Sequence, residues 1–255
     1  MMRVIKVGGR SQNDPALPGA VAAGCAQGER LCLVHGGGDE VSALQRRMGY
    51  EPRFVHGRRV TTPEELAIVR MVLSGTINKR LVAALADAGV AAAGVSGEDG
   101  GLLCCNVFGD GSLGAVGTPA GVHTGLLDAL LDGGFVPVVS PLGRLAGQGG
   151  GCNVNGDDAA AAIAAALGAD ELLLVADVPG VLDERGARLP LLGVDDATAL
   201  IASGIATGGM IAKLQAALRC LEQGVARVRI GGVDAIADRE AGTALTRAPM
   251  PAPRH

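Results

Sequence analysis

Aromatic side chains are nearly missing: the 255 residues include no Trp, one Tyr and three Phe. Stacking platforms for nucleic-acid bases are therefore lacking. A basic surplus is lacking too, since 22 Lys and Arg stand against 26 Asp and Glu, a net charge of -4 that leaves no footprint for a polyanion. No apolar run is long enough to cross a bilayer, and the longest, such as residues 159–167, are Ala-rich in the manner of buried helices. The opening MMRVIKVGGR has neither the apolar region nor the small-residue cleavage site of a secretory signal, so a cytoplasmic location is expected. Six cysteines (Cys25, Cys32, Cys104, Cys105, Cys152, Cys220) form no CxxC pair and have no His at metal-ligand spacing. That argues against a zinc site or a disulfide framework and for small buried hydrophobes, with Cys152 set apart by its polar surroundings. Internal repeats and charge runs are absent, and neither Lys6-Val7-Gly8-Gly9 nor His35-Gly36-Gly37-Gly38 matches GxxxxGK[ST] or GxGxxG. What remains is a chain suited to a small-molecule partner.

With 48% hydrophobic and 19% charged residues, the chain can bury a core as one large α/β unit or as two closely joined lobes. Short apolar runs at 4–7, 31–34, 91–95, 102–107, 135–139, 171–175 and 227–230 read as strands. Helical patterns occupy 16–26, 39–48, 124–131, 157–167, 195–202 and 209–222. Thr62-Pro63-Glu64-Glu65 is a capping box with Pro in the first turn, opening a helix to about residue 88. The Gly-rich stretch 109–121 is expected to form hairpin turns, and the Pro-rich tail 249–255 to fray. Alternating strands and helices predict a three-layer αβα sandwich around a mainly parallel sheet. A soft boundary at 145–151 divides an N-terminal lobe, 1–150, from a C-terminal lobe, 151–255.

Lys6-Val7-Gly8-Gly9 and His35-Gly36-Gly37-Gly38 each follow an apolar strand. Strand ends in a parallel sheet converge on the ligand crevice, where free backbone N–H groups can hold an anion; a tight turn is the plainer alternative. Gly57-Arg58-Arg59-Val60-Thr61 delivers a guanidinium near the start of the long helix, either to grip a carboxylate or phosphate or to stay in solvent, and at most one of the two arginines should point into a site. Asn153-Val154-Asn155-Gly156-Asp157-Asp158 offers N-caps, or an amide aimed at substrate beside a carboxylate that organises lysines. Ala176-Asp177-Val178-Pro179-Gly180 is a strand-end turn, and Thr207-Gly208-Gly209-Met210 opens a helix carrying Lys213, a cation near a positively polarised end.

Together KVGG, HGGG, GRRVT, NVNGDD, ADVPGV and TGGMIAK, in this order, resemble the acetylglutamate kinases of the amino-acid kinase family, from about residue 4 to 230. The resemblance implies the amino-acid kinase fold and phosphorylation of N-acetyl-L-glutamate by ATP, with Mg2+ bound mainly through the ATP phosphates. It makes Lys6 and Lys213 the lysines that stabilise the transferring phosphoryl group and Asp157 their organiser. Gly37 and Gly38 would bind substrate through backbone N–H groups, Arg59 would clamp a substrate carboxylate and Asn153 would bind its other end. Gly8, Gly9 and Gly36 would form the phosphate nest. Asp177, Val178, Pro179, Gly180, Val181 and Leu182, with Ile205, Ala206 and Thr207, would line the ATP pocket of the C-terminal lobe. Phosphoryl transfer needs positioning and cations more than a protein nucleophile, and no dedicated metal cage is visible.

Three positions depart from the family pattern: Arg10 stands where a small or apolar residue is usual, Gly156 where Ala is usual and Ala176 where Ser is frequent. The chain opens at its first strand without the helix of the arginine-sensing relatives, so a homodimer insensitive to arginine is expected, dimerising through the N-terminal lobe. A carrier-linked aminoadipate or glutamate substrate is the near alternative; GRRVT favours free acetylglutamate. A silent binding module would have lost a charged residue, and Lys6, Asp157 and Lys213 are all present. Aspartate and carbamate kinases fit the length less well.

Overall fold

A computed structural model describes residues 1–147 and 149–247; the tail expected to fray, 249–255, and the Arg10 side chain lie outside the described residues. Strand β1 (Met2–Val7) leads through a 3₁₀ turn (Gly9–Asn13) to helix α1 (Leu17–Ala26), β2 (Arg30–His35) and α2 (Gly38–Arg47). A short hairpin, β3 (Phe54–Val55) and β4 (Arg58–Arg59), precedes α3 (Pro63–Arg70) and α4 (Asn78–Asp87). These two are the single long helix expected from the sequence, widened into π-helical turns at Met71–Ile77. Then come β5 (Ala92–Ser96), β6 (Leu103–Val107), β7 (Val116–Val122), α5 (Gly125–Asp132), β8 (Val136–Ser140), β9 (Leu142–Leu145) and β10 (Gly151–Val154). The chain continues with α6 (Gly156–Ala166), β11 (Glu171–Val175), β12 (Leu191–Gly193), α7 (Val194–Ala202), α8 (Gly209–Glu222), β13 (Arg227–Gly231) and β14 (Thr243–Thr246).

Eight strands make one sheet in the order β12-β14-β13-β11-β1-β2-β8-β5. Every neighbouring pair is parallel except β13 with β14. The strands read as continuous apolar runs because both faces are covered. Val4, Cys32 and Val34 pack with Ile163 of α6 and Leu214 of α8; Ile5, Leu31 and Leu33 pack with Val21 of α1, Val69 of α3 and Leu81 of α4. This is the predicted three-layer sandwich, with sequence neighbours on a strand pointing into opposite helical layers.

A second, small closed sheet departs from the pattern expected of the sequence. Strands β10, β7, β6 and β9 close on one another, so part of the stretch expected to form hairpin turns, 109–121, is a ladder strand. The expected boundary at 145–151 falls between β9 and β10, where Gly151 pairs with Arg144 and Asn153 with Leu142. These strands are short and rich in Gly, Cys and Asn, so they show no two-residue apolar period. Their composition follows from the barrel's narrowness: a Cβ on Gly117 would stand 2.4 Å from Cys152 Sγ, and one on Gly143 2.5 Å from Cys105 Sγ. Cys152 is fully buried there, a packing residue and not a polar one. The hairpin β3–β4 and the short strands β12 and β14 likewise have no signal in the sequence pattern.

The capping box forms as expected. Glu65 N donates to Thr62 Oγ1 at 3.2 Å and Thr62 N to Glu65 Oε2 at 2.8 Å, fixing where the long helix starts. At the carboxyl ends of the central strands the chain brings Lys6, His35 and Val175 side by side, since Lys6 is in register with Leu174 and Val7 with His35.

Candidate active site

Lys6 stands at the end of β1, and its Nζ lies 2.9 Å from Oδ1 of Asp157, in the first turn of α6. Asp157 reaches this place because Asn155 caps the helix, its Oδ1 accepting from Asp157 N (2.9 Å) and Asp158 N (3.1 Å). Burial works to raise the Asp157 carboxyl, but the charges of Lys6 and Lys213 and the Lys6 hydrogen bond outweigh it and hold the group below the ordinary carboxylate range. Lys213, one turn into α8, donates from Nζ to the Val175 carbonyl at 3.2 Å. Burial, then the Lys6 charge, pushes its pKa below that of an ordinary lysine, while Asp157 and Asp177 act in the opposite sense. Two ammonium groups and one carboxylate thus share one patch at the strand ends.

The glycine turns pack against each other backbone to backbone. Gly36 N donates to Val7 O at 2.9 Å, and a Cβ on Gly36 would stand 3.5 Å from Gly8 Cα. A Cβ on Gly8 would meet Lys6 Nζ at 2.4 Å, so glycine there is what lets the ammonium fold over the turn. Gly37 has φ +153°, and a Cβ would fall 2.2 Å from Ile77 Cδ1. His35 is fully buried; its Nδ1 is 2.8 Å from the Gly36 carbonyl and its Nε2 3.2 Å from Asn78 Nδ2. Burial lowers its pKa to about 4, so at neutral pH the ring is uncharged and its Nδ1–H holds the first glycine carbonyl. Gly156 borders the same patch, where a Cβ would crowd Lys6 Cε at 3.2 Å.

Beside the glycines a cavity of about 190 Å³ opens, bordered by Gly36, Gly37, Gly38, Arg59, Asn153 and Gly156. It also takes Val154 of the Asn-rich motif and Val41, Phe54, Val69, Leu73, Val116 and Pro141, apolar walls that the sequence does not single out because they come from segments far apart in the chain. Arg59 is buried, and its Nη2 donates to the Gly38 carbonyl at 2.7 Å and to Ser42 Oγ at 2.9 Å. Its guanidinium carbon sits 4.7 Å from the centre of the Phe54 ring. Asn153 Nδ2 donates to Thr61 Oγ1 at 3.2 Å. Both arginines border the cavity, against the expectation of one at most. They are committed differently: Arg58 Nη2 pairs with Asp158 at 2.6 Å and its guanidinium stacks 4.3 Å over Phe108. In the Asn-rich motif the two readings divide between residues, Asn155 serving as the cap and Asn153 facing the cavity.

A second cavity, about 380 Å³, is bordered by Ala176, Asp177, Val178, Gly180, Val181 and Leu182, by Ile205, Ala206 and Thr207, and by Lys213. Lys213 therefore joins this space to the Lys6–Asp157 patch. Pro179 instead borders a neighbouring open groove with Ser11, Asp14 and Asp234. Asp177 Oδ1 accepts from Ser11 Oγ at 2.8 Å, and a Cβ on Gly9 would lie 3.8 Å from Asp177 Oδ2. Gly209 and Met210 of the TGGMIAK stretch complete the wall with Leu200, which carries no motif that would single it out from sequence. Chemically, the arrangement offers an apolar-walled cleft for a flat ring system and a cationic patch. Next to these lies a smaller pocket with a fixed guanidinium, an amide and exposed backbone N–H groups.

Comparison with known proteins agrees with this layout. A model of the amino acid kinase family matches residues 1–232. An acetylglutamate kinase of Methanopyrus kandleri is 51% identical over 202 residues, covering 75% of this chain and 81% of that protein. Another, from Chloroflexus aurantiacus, is 44% identical over 246 residues, 95% of this chain and 96% of that one. Among solved structures, smu.665 from Streptococcus mutans UA159 superposes with a TM-score of 0.86 at 27% identity, over 97% of this chain and 99% of that chain.

Proposed function

The chain belongs to the amino acid kinase family, and from that premise we propose that it transfers the terminal phosphoryl group of ATP to the side-chain carboxylate of N-acetyl-L-glutamate. The product is N-acetyl-L-glutamyl 5-phosphate, the second step of arginine biosynthesis. The observation that carries the reading is the Lys6, Asp157 and Lys213 patch flanked by two cavities: Gly156, packed against Lys6, borders one together with Arg59, Asn153 and the glycines, and Lys213 borders the other together with Asp177, Val178, Gly180 to Leu182 and Ile205 to Thr207. Relatives named acetylglutamate kinase at 44–51% identity support the same substrate.

In this reading Arg59 grips the α-carboxylate, Asn153 the acetamide end, and the backbone N–H groups of Gly37 and Gly38 the reacting carboxylate. The substrate oxygen attacks the terminal phosphorus in line while the bond to the ADP oxygen breaks. Lys6 and Lys213 stabilise the charge spread over the phosphoryl oxygens, and the backbone of Gly8 and Gly9 adds N–H donors, while the Gly36 N–H expected in that nest is taken by the Val7 carbonyl and Gly36 contributes close backbone packing instead. Asp157 keeps the lysines at one site against their mutual repulsion. Among the described residues no carboxylate forms an ion pair with Lys213, whose Nζ donates to the Val175 carbonyl, which leaves its charge for the phosphates.

Among the described residues no group of three or more His, Cys, Asp or Glu converges as an ion cage. Asp157 and Asp177 are already engaged by Lys6 and Ser11. Mg2+ fits this site as an ion carried by the ATP phosphates, where it would supply neutralising charge.

The same proposal assigns acetylglutamate binding and homodimerisation to residues 1–150 and ATP binding to 151–255. The smaller cavity crosses that line, drawing Asn153, Val154, Asn155 and Gly156 from beyond it. No helix among the described residues is long and apolar enough to cross a membrane, and a cytoplasmic, dimeric enzyme is the arrangement we propose. Sedimentation of the purified chain tests the assembly.

ADP release with ATP and Mg2+ tests the reaction, with N-acetylglutamate compared against glutamate, N-acetylaspartate and aminoadipate. Preference for N-acetylglutamate is expected; turnover of aminoadipate alone, or of none of them, overturns the assignment.

A further inference from the structure

We propose that Gln45 is a positioning residue that locks Arg59 toward the substrate carboxylate while leaving its positive charge undiminished. The inference rests on the acetylglutamate reading. Gln45 lies on α2, fully buried, and accepts at Oε1 from Arg59 Nη1. On its other side Gln45 Nε2 donates to Glu65 Oε1 at 2.9 Å. Glu65 is itself buried and cannot turn, because its second oxygen accepts from Thr62 N in the capping box. A carboxylate is acceptor-only, so the amide must present Nε2 to Glu65 and its oxygen to the guanidinium. The start of the long helix thus sets the orientation of Arg59 through one amide.

The choice of an amide has an electrostatic reason. A carboxylate at position 45 would pair directly with Arg59, draw its charge away from the cavity and abut Glu65. An apolar side chain would leave Arg59 Nη1 and Glu65 Oε1 buried without partners. Glutamine satisfies both neighbours and keeps the nearest full negative charge one side chain away. A second link acts in the same direction: Thr61 Oγ1 donates to the Arg59 carbonyl at 3.1 Å and accepts from Asn153 Nδ2 at 3.2 Å. The Asn153 side chain is therefore tied through Thr61 to the backbone of Arg59, the residue assigned to the opposite end of the substrate.

The test compares wild type, Gln45→Glu and the exchange Gln45→Glu/Glu65→Gln, reading kcat, both KM values and Tm. Gln45→Glu should raise KM for N-acetylglutamate about tenfold through the new ion pair to Arg59, with KM for ATP and kcat within about twofold. Its Tm should fall, since two buried carboxylates meet. The exchange restores the order of donors and acceptors, with the amide now at position 65 donating to the carboxylate now at position 45, so Tm should return toward wild type while KM for N-acetylglutamate stays raised. If KM returned together with Tm, or never rose in Gln45→Glu, Gln45 would serve the fold alone and the proposal would fall. Wild type that fails to turn over N-acetylglutamate would overturn the functional reading, and this proposal with it; wild type that turns over beside variants of unchanged KM would overturn only the proposal.

Discussion

Lys6 Nζ and Asp157 Oδ1 face each other at 2.9 Å, joining the end of the first strand to the first turn of a helix in a distant part of the chain. Neither side chain is open to solvent, at 12% and 16% exposure, so the pair is little screened. The carboxylate feels both Lys6 and Lys213, which is what allows two cations to occupy one patch.

Lys213→Ala should lower kcat by about 100-fold or more and change KM for N-acetylglutamate by less than about threefold, because the lysine acts on charge that develops during transfer. Steady-state kinetics with each substrate varied decides this. Equal loss in both parameters would make Lys213 a simple binding residue.

Acid should weaken the fold through His35. Its folded pKa, about 4, is depressed from 6.5, so the unfolded chain binds the extra proton first and stability is lost as pH falls from about 6.5 toward 4. The loss is bounded at ~3 kcal/mol. Asp157 acts in the same direction lower down, since its depressed carboxyl contributes stability above the unfolded value and loses it as pH falls through the folded one. The dependence of the denaturant midpoint on pH should flatten between about 6.5 and 4 in His35→Gln; an unchanged slope would remove His35 from the account.

Gly37→Ala should destabilise the protein by about 1–3 kcal/mol, from a backbone at φ +153° and a Cβ driven into Ile77 Cδ1 at 2.2 Å. Adding Ile77→Val, which removes that atom, should restore part of the stability, leaving the strain and the Leu73 Cδ2 contact at 2.8 Å. A Gly37→Ala chain with wild-type Tm would contradict the steric reading.

At the other end of β1, Arg3 is fully buried and paired with Glu29 at 2.6 Å and Glu171 at 2.9 Å, with Arg229 also on Glu171 at 3.0 Å. Arg3→Met should cost about 3–5 kcal/mol in urea unfolding, because two carboxylates lose a buried partner. KM for either substrate should hold in the folded fraction, since the network lies away from the cavities. Loss of substrate affinity at full folding would show that the strand ends are coupled.

Much of the framework is legible along the chain because its causes are local. Thr62 and Glu65 are three residues apart and cap one helix; Asn155 is two and three residues from the N–H groups it accepts. Apolar runs such as Leu31 to Val34 announce strands covered on both faces. Paired glycines after two such runs mark the places where backbone meets backbone.

Other features have no local cause. The barrel strands carry no apolar period, since their side chains are limited by what stands across the barrel, such as Cys152 against Gly117. Gln45 and Glu65 are 20 positions apart, and Asn153 and Thr61 are 92 apart; neither pair has a spacing that a helix or strand would impose. Arg58 and Arg59 are adjacent and chemically identical, and only the arrival of Asp158 beside one and Gln45 beside the other separates their duties. Composition, helix starts and strand interiors are decided by neighbours within a few residues, so the order of amino acids alone suffices for them. Which charge meets which amide across a cavity depends on how distant segments pack, and that the folded chain alone decides.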